Sequence, residues 1–268
     1  MNQLAIVGLP NCGKSTIFHA ATRAPTAISE TPYSTRKLIR ARVRVPGRKL
    51  APLQLIDTPA LARGAARGKG LGNKFLEKLR TCDILVHVVR LFARRSLGAP
   101  HPEGRIAPLR DIDIVETELQ LADLAAIRRR LEPEEGERPS ADDAARTALE
   151  EVAKAIEGGQ SARQMGLPPE ELADLLGMEL LTAKPQIFVI NVDEEDLFAE
   201  SRMSLPEELF TRIRIDDAPY IVASGRLEAD AAALDGREGL AMLEELGIDE
   251  PLGAKLARAA EQLLRAGR

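Results

Sequence analysis

Short, mostly apolar runs recur along the chain and alternate with stretches that have helical spacing. The runs lie at 4–7, 53–56, 84–89, 187–190 and 220–223. Runs of this length, rich in Val, Ile and Leu, predict buried strands. Because these strands alternate with helices, the pattern is typical of a doubly wound, mostly parallel α/β sheet.

A different periodicity interrupts this alternation between residues 113 and 184. Apolar residues there are spaced by three and four positions, on both sides of the Glu-, Pro- and Gly-rich stretch 132–139. This spacing predicts two amphipathic helices in an antiparallel, coiled-coil hairpin. The spaced residues are Leu121, Leu124, Ile127 and Leu131, followed by Ala145, Leu149, Val152 and Ile156. We therefore predict an α/β domain in two parts, 1–112 and 185–268, interrupted by a helical insertion at 113–184.

The stretch 36–45 alternates between apolar and basic residues, which predicts a strand with one basic face. Its apolar positions are Leu38, Val43 and Val45, and its basic positions include Arg40, Arg42 and Arg44. Residues 1–110 hold 20 Lys and Arg against 5 Asp and Glu, whereas residues 111–268 hold 17 against 36. A basic N-terminal half favours RNA or a ribosomal particle as partner. Complementarity between the two halves, together with neutralisation by a nucleotide, would explain the same asymmetry, and both interpretations stay open.

The overall composition is ordinary for a globular protein, with 44% hydrophobic and 29% charged residues. No apolar run is long enough to span a membrane, and no signal-peptide pattern precedes the first strand. The two cysteines, Cys12 and Cys82, fit a reducing compartment. We therefore expect a cytoplasmic protein with no membrane partner.

Residues 8–15, GLPNCGKS, match the phosphate-loop pattern G-x-x-x-x-G-K-[ST] at every fixed position. A predicted strand precedes them and a predicted helix follows, which is the context that the pattern requires. In such loops backbone N–H groups hold the phosphates, and here Lys14 would reach the β- and γ-phosphates while Ser15 coordinates Mg²⁺. Lys14 is therefore a predicted catalytic residue. The predicted phosphate-binding residues are Asn11, Cys12, Gly13, Lys14, Ser15 and Thr16.

Two further residues are predicted to act at the metal. Asp57 ends the apolar run 53–56 and would hold a Mg²⁺-bound water, and Thr35 could place its hydroxyl on the ion. Asp57 opens a switch motif of the form D-x-x-G, in which Ala60 replaces Gly. Leu61 then occupies the position where Ras-like enzymes carry the Gln that orients the attacking water. Because Leu cannot orient water, hydrolysis needs a different group.

Several stretches together resemble one family, the YchF or Obg-like ATPases among the Obg-related P-loop GTPases. They are residues 8–16, GKGLGNKFL at 68–76, HVVR at 87–90, TELQLADL at 117–124, LLTAKP at 180–185 and EELGI at 244–248. The resemblance implies a G domain with a coiled-coil arm, slow hydrolysis, and a link to ribosomes, translation or stress response. The chain departs from the family at Ala60. Family members also continue into a small TGS domain, which the 268 residues do not include.

Residues 191–194, NVDE, follow a predicted strand where guanine-specific relatives carry N-K-x-D. Val192 and Glu194 replace the Lys and Asp that recognise guanine. The YchF-like family shows the same N-x-x-E pattern and prefers ATP, so we expect ATP to bind in preference to GTP. The predicted residues around the base are Asn191, Val192, Glu194, Ser224 and Gly225. A role for Asn191 limited to tying neighbouring loops stays open.

Three residues each have a chemical and a structural interpretation. His101 lies near a histidine that the resemblance marks as catalytic, and histidine is a suitable base near neutral pH, but a solvated loop histidine is equally consistent with the sequence. Asn11 resembles the Asn of relatives that bind K⁺ beside the phosphates, or it tethers the loop. Cys12 is either a reactive thiol at a helix N-terminus or a small packing residue.

The sequence thus predicts a slow, Mg²⁺-dependent ATPase that acts as a switch, with K⁺ as an expected second cation. The alternative is a GTP-binding protein or a nucleotide-gated interaction module without turnover. Ala60 and Pro59 favour that alternative because they stiffen the switch motif.

Overall fold

The computed structural model describes residues 1–24, 38–45, 53–66, 71–93, 101–132, 143–166, 168–198 and 206–266. Six strands form one sheet in the order β2-β3-β1-β4-β5-β6. The strands are β1 (Asn2–Val7), β2 (Ile39–Arg42), β3 (Leu53–Asp57), β4 (Ile84–Arg90), β5 (Gln186–Asn191) and β6 (Tyr220–Ala223). Only the pair β2–β3 is antiparallel among these strands, and every other neighbouring pair is parallel. The mostly parallel sheet predicted from the apolar runs is confirmed.

Helices follow most of the strands. They are α1 (Lys14–Thr22), α2 (Leu71–Leu79), α3 (Pro108–Leu131), α4 (Asp143–Glu157), α5 (Pro169–Leu176), α6 (Glu194–Phe198), α7 (Glu207–Ile215), α8 (Gly225–Ala233), α9 (Gly236–Glu245) and α10 (Leu252–Ala266). Within the described residues, none of these helices is both long and apolar enough to cross a membrane.

Both faces of the sheet are covered, and β1 shows this directly. Leu4 and Ile6 pack in one core cluster with residues of α1 and α10, such as Phe18. The alternate residues Ala5 and Val7 pack in a second cluster with residues of α2 and α3. Since successive side chains of a strand point to opposite faces, a continuous apolar run is what a doubly covered strand requires.

Helix α3 belongs to two parts of the molecule. Its first half packs against the sheet through Val115 and Leu119. Its second half contributes Ile127 to a separate apolar cluster, which includes Leu149 and Val152 of α4. The predicted insertion boundary at 113 therefore falls inside α3, and the division at 113 and 184 remains a prediction.

A buried polar junction ties the helical segment to the sheet. The Glu116 carboxylate on α3 accepts hydrogen bonds from Ser161 Oγ at 3.1 Å, Arg163 Nη1 at 3.0 Å and Gln186 Nε2 at 2.5 Å. Burial opposes ionisation, but the Arg163 guanidinium and these hydrogen bonds bring the pKa of Glu116 down to about 2. The junction therefore carries a fixed negative charge, which Arg163 on the turn before α5 compensates and to which Gln186 of β5 donates a hydrogen bond.

His87 in β4 is a core residue. It is 1% exposed, and its ring stacks on Phe188 with centroids 5.2 Å apart. Burial lowers the pKa of His87 to about 4, so the ring is neutral at physiological pH. A neutral ring buried in an apolar strand has a packing role.

Candidate nucleotide-binding site

The phosphate loop connects β1 to α1 through three residues with positive φ. Gly8 has φ of 152°, Asn11 60° and Gly13 97°. A Cβ on Gly8 would lie 2.6 Å from the Val88 carbonyl oxygen, and one on Gly13 would lie 2.2 Å from Asn191 Nδ2. Glycine is therefore required at both positions, by backbone conformation and by space. The loop ends at Lys14, the first residue of α1, so the free N–H groups of that helix are available to a phosphate.

Lys14 folds over the loop that it follows. Its Nζ donates to the carbonyl oxygens of Leu9 at 2.7 Å and Gly8 at 3.2 Å, and the residue is 8% exposed. The ammonium group is thus held close to the loop backbone. A negatively charged phosphate would compete favourably with these neutral carbonyls for the same donors.

Ser15 and Asp57 form the part of the site that could hold a metal. Ser15 Oγ donates to Asp57 Oδ2 at 2.8 Å. Asp57 is 1% exposed, and its Oδ1 has no hydrogen-bond partner within the described residues. Burial raises the pKa of Asp57, although the Ser15 hydrogen bond and the Lys14 charge oppose the rise. An incompletely satisfied carboxylate beside a hydroxyl has the oxygen chemistry that Mg²⁺ takes, so these residues fit the ion. Thr35 lies outside the described residues.

The switch motif packs tightly behind the phosphate loop. Thr58 Oγ1 donates to the Ile6 carbonyl, and the Leu61 N–H donates to the Gly8 carbonyl at 3.1 Å. The Leu61 side chain is fully buried in the core that covers one face of the sheet. It contributes to packing and offers no polar atom to a water molecule.

A small cavity of about 70 Å³ opens beside the phosphate loop at the ends of β5 and β6. It is lined by Gly13, Thr16, Phe92, Asn191, Val192, Asp193, Glu194, Ser224 and Arg226. Six of these residues were predicted from sequence to bind the nucleotide, and Gly225 directly follows Ser224. The sheet therefore brings together the phosphate-loop residues and those predicted to surround the base, as expected where parallel strands end.

Asn191 ties the loops that meet at this cavity. Its Nδ2 donates to the Cys12 carbonyl at 3.0 Å, and its Oδ1 accepts from the Gly225 N–H at 2.9 Å. The tethering interpretation of Asn191 is thus what the geometry shows. Val192 is 2% exposed and packs in the core, whereas Glu194 is partly exposed, with Oε1 4.0 Å from Arg226 Nε.

Sequence reasoning missed Phe92, Asp193 and Arg226, which also line the cavity. The Asp193 carboxylate accepts from the Ala93 N–H at 2.8 Å and so anchors the segment that carries Phe92. The signal for Phe92 was present but weak, because one aromatic residue just after a strand usually indicates core packing. Arg226 follows the strand-end pair Ser224 and Gly225, and only the fold shows that it faces Glu194.

His101 is buried and paired. Its Nε2 lies 2.7 Å from Asp111 Oδ2, and its Nδ1 accepts from the Glu103 N–H at 3.2 Å. Both ring nitrogens are therefore engaged, with Nε2 as the donor to the carboxylate. This is neither a solvated histidine nor one that is free to act on a water, and its catalytic role remains a prediction.

Cys12 behaves as a packing residue. It is 2% exposed, and burial raises the pKa of its thiol even though the Lys14 charge acts in the opposite direction. A raised thiol pKa reduces the thiolate that redox chemistry needs. The interpretation as a reactive thiol is therefore not supported.

The basic face predicted for 36–45 exists where the structure describes it. Arg40 and Arg42 of β2 are exposed, whereas Ile39 and Ala41 are half-buried against the core. Arg44 continues the exposed series beyond the strand. Among the strands that the structure describes, β2 is the outermost on its side, so this face lies at the border of the described sheet.

The fold and the site define a P-loop nucleoside triphosphatase of the G-domain type. A family model described as "50S ribosome-binding GTPase" matches residues 3–118. The ribosome-binding ATPase YchF of Haemophilus influenzae is 32% identical, over 97% of this chain and 75% of the relative. The Bacillus subtilis protein of that name matches with the same identity and coverage. The solved structure of the Schizosaccharomyces pombe YchF GTPase superimposes with a TM-score of 0.69 at 25% identity, over 98% of this chain and 75% of that one. The chain belongs to the YchF family.

Proposed function

We propose that the protein is a slow, Mg²⁺-dependent ATPase that acts as a nucleotide-controlled switch on the ribosome in the cytoplasm. The observation that carries the proposal is the buried pair Ser15–Asp57 next to the phosphate loop, with one carboxylate oxygen left without a partner among the described residues. A buried ionisable group in this state is expected where a ligand completes the site. The curated YchF relatives carry ribosome binding and ATPase activity in their names.

Three residues of the phosphate loop, together with Asp57, have defined parts in this proposal. The backbone N–H groups around Gly13 and the start of α1 hold the phosphates, and Lys14 exchanges its carbonyl contacts for phosphate oxygens. Ser15 and Asp57 are the residues that would hold Mg²⁺ at this site. When bound, the ion neutralises charge that develops on the transferred phosphate.

Preference for ATP follows from the chemistry of the side chains that line the cavity. The Asn191 amide is engaged on both sides by backbone groups, so it positions the loops. Glu194 also lines the cavity, and its carboxylate can accept from the exocyclic amine of adenine. Its side chain is one methylene longer than the Asp of guanine-specific relatives, so the carboxylate is displaced from the position that pairs with the guanine edge. Phe92 lines the same cavity and offers an aromatic face to the base.

Slow hydrolysis follows from the groups around the switch motif. Leu61 is buried and apolar, and His101 is engaged by Asp111. For His101 to act as a base, its Nδ1 must first give up the hydrogen bond that it accepts from the Glu103 N–H, which makes the competent arrangement a minor state. K⁺ held beside Asn11 would add positive charge at the phosphates.

Ribosome binding through the exposed arginines is the part of the proposal that concerns the partner. Arg40, Arg42 and Arg44 present positive charge at the β2 side of the sheet, whereas the candidate base cavity lies at the ends of β5 and β6 on the other side. Contacts to RNA phosphates would be independent of sequence and would weaken steeply with salt. Sedimentation with ribosomes at low and raised salt, with the three arginines changed to Glu, tests this part. Equal co-sedimentation of variant and wild type would contradict it.

A phosphate-release assay tests the enzymatic part. We expect slow release from ATP that requires Mg²⁺, is faster in K⁺ than in Na⁺, and is lost in Ser15→Ala. A matched control is Ser161→Ala, because Ser161 lies at the junction with Glu116 and not at the phosphate loop.

The same assay distinguishes the ATPase from the second candidate function, an interaction module that binds the nucleotide without turnover. The buried Leu61 side chain favours that candidate because it offers no polar atom to orient an attacking water. Tight binding of Mg·ATP with no phosphate release in either cation would support the module and contradict the ATPase.

A further inference from the structure

Arg90 is a buried charged residue at the point where the phosphate loop and the base cavity meet. It is the last residue of β4 and is only 4% exposed. Neither the phosphate-loop pattern nor the base-recognition motif includes it. A buried guanidinium is costly unless it makes specific contacts, so its partners indicate its role.

The first contact is with the phosphate loop. Arg90 Nη1 donates to the Asn11 carbonyl oxygen at 3.2 Å. Asn11 has φ of 60°, a left-handed conformation that is unusual for residues other than glycine. Such a conformation persists where the surroundings hold it. The hydrogen bond from Arg90 is one such restraint on the loop that must present its N–H groups to a phosphate.

The second contact is with the wall of the base cavity. The Arg90 guanidinium carbon lies 4.2 Å from the centroid of the Phe92 ring, and Nε donates to the Phe92 carbonyl oxygen at 3.2 Å. The Phe92 N–H also donates to the Asn191 carbonyl at 3.1 Å. Phe92 is therefore held by its ring, its carbonyl and its N–H, and the ring faces the cavity beside Gly13.

Charge supports this placement. Burial lowers the pKa of Arg90, while nearby Asp193 and Asp111 act in the opposite direction. The guanidinium remains ionised at all physiological pH values. Its hydrogen bonds to the two carbonyls are therefore charge-assisted, and its stacking on Phe92 is a cation–π contact.

We propose that Arg90 is a positioning residue that couples the base cavity to the phosphate loop through one guanidinium shared between Phe92 and Asn11. The inference rests on the proposed nucleotide-binding function. A base that packs against the Phe92 ring would stabilise the Arg90 rotamer that holds Asn11, and phosphates that order the loop would favour the same rotamer. Lysine cannot replace this residue, because a single ammonium lacks the planar fork that meets both carbonyls while it stacks.

The test compares two probes, Mg·ATP and Mg·pyrophosphate, by calorimetric titration. Arg90→Met should lower the affinity for both probes by about tenfold, since the phosphate loop loses a charge-assisted restraint in each case. Phe92→Leu should weaken Mg·ATP and leave Mg·pyrophosphate unchanged. In the double variant, the loss of ATP affinity should be smaller than the product of the two single losses, because both substitutions remove the same contact.

The controls separate positioning from a general loss of structure. Arg90→Lys keeps the charge and should still weaken the binding of both probes. Phe92→Tyr keeps the aromatic ring and should bind Mg·ATP as tightly as wild type, unlike Phe92→Leu. Arg258→Met removes the exposed Arg258 of α10 from its ion pair with Glu250, and this variant should match wild type. Unchanged pyrophosphate binding in Arg90→Met and Arg90→Lys, or fully multiplicative losses in the double variant, would overturn the coupling alone. Failure of the wild type to bind either probe would overturn the proposed function and the coupling with it.

Discussion

The nucleotide site has two halves that are built in different ways. The phosphate half, residues 8–16 with Asp57, depends on backbone conformation, with three positive φ angles over six residues and a helix that starts at Lys14. The base half, comprising Phe92, residues 191–194 and Arg226, depends on side chains from three separate strand ends. The phosphate half therefore tolerates little change and matches its motif fully. The base half can change its selectivity by single substitutions while the fold stays the same.

The largest expected effect breaks the phosphate half. Lys14→Ala removes an ammonium group that would donate to two phosphate oxygens, so affinity for Mg·ATP should fall roughly a thousandfold. Because Lys14 does not touch the base, affinity for Mg·GTP should fall by the same factor. Competition titration of both nucleotides measures the two losses. A loss restricted to one nucleotide would show that the two halves are not separable in this way.

The second-largest expected effect is on the turnover rate. It should leave nucleotide binding by both halves of the site unchanged. His101→Ala should lower kcat for ATP by about a hundredfold, as expected for loss of a general base, with the dissociation constant of Mg·ATP unchanged. Single-turnover phosphate release measures it. If the variant turns over like wild type, the pair His101–Asp111 has only a structural role.

The third expected effect is smaller and concerns only the choice of base. Glu194→Asp shortens the carboxylate towards the geometry of guanine-specific relatives, so the ratio of ATP to GTP affinity should fall by about tenfold. Glu195→Asp, one position along α6 and exposed, is the matched control and should leave the ratio unchanged. An unaltered ratio in Glu194→Asp would remove Glu194 from base recognition.

The smallest effect is on stability. Burial raises the pKa of Asp57, so its ionised form destabilises the ligand-free protein at neutral pH, and this cost disappears as the pH falls through the raised value. Asp57→Asn should therefore raise the melting temperature at neutral pH by about 2–4 °C and lose the additional stabilisation by Mg·ATP. The increase should shrink towards acid pH.

Asp235→Asn is the control, because the pKa of Asp235 is shifted in the opposite direction to that of Asp57. N–H groups of Glu238 and Arg237 lower the pKa of the exposed Asp235 carboxyl at the start of α9. Its replacement should not stabilise the protein at neutral pH. A lower melting temperature in Asp57→Asn would contradict the expected cost of the buried carboxylate.

The fold was largely predictable, because it depends on local patterns. Apolar runs predicted the five mutually parallel strands, β1, β3, β4, β5 and β6. The alternation around Arg40 and Arg42 predicted β2. The start of α3 was not predicted. Pro108 begins that helix well before the periodic leucines, and its first half packs on the sheet, so no change of periodicity marks where the sheet contacts end.

The site was predictable where one motif contains all of its parts. Residues 8–15 are contiguous, and their conformation follows from their glycines. The contacts of Arg90 and Asn191 join positions 79 and 179 residues apart along the chain. Pairings of this kind depend on strand order and on side-chain rotamers, which periodicity does not encode. The pair His101–Asp111 joins the segment before α3 to the first turn of that helix, and it too depends on side-chain rotamers.

The arginines of β2 also affect how copies of the folded chain associate with one another in concentrated solution. An edge strand offers unpaired backbone N–H and C=O groups, to which a strand from another copy can add. Exposed Arg40 and Arg42 on that edge bring two copies into like-charge repulsion before such pairing can start. The edge that is proposed to attract a polyanion therefore also protects the protein against edge-to-edge aggregation.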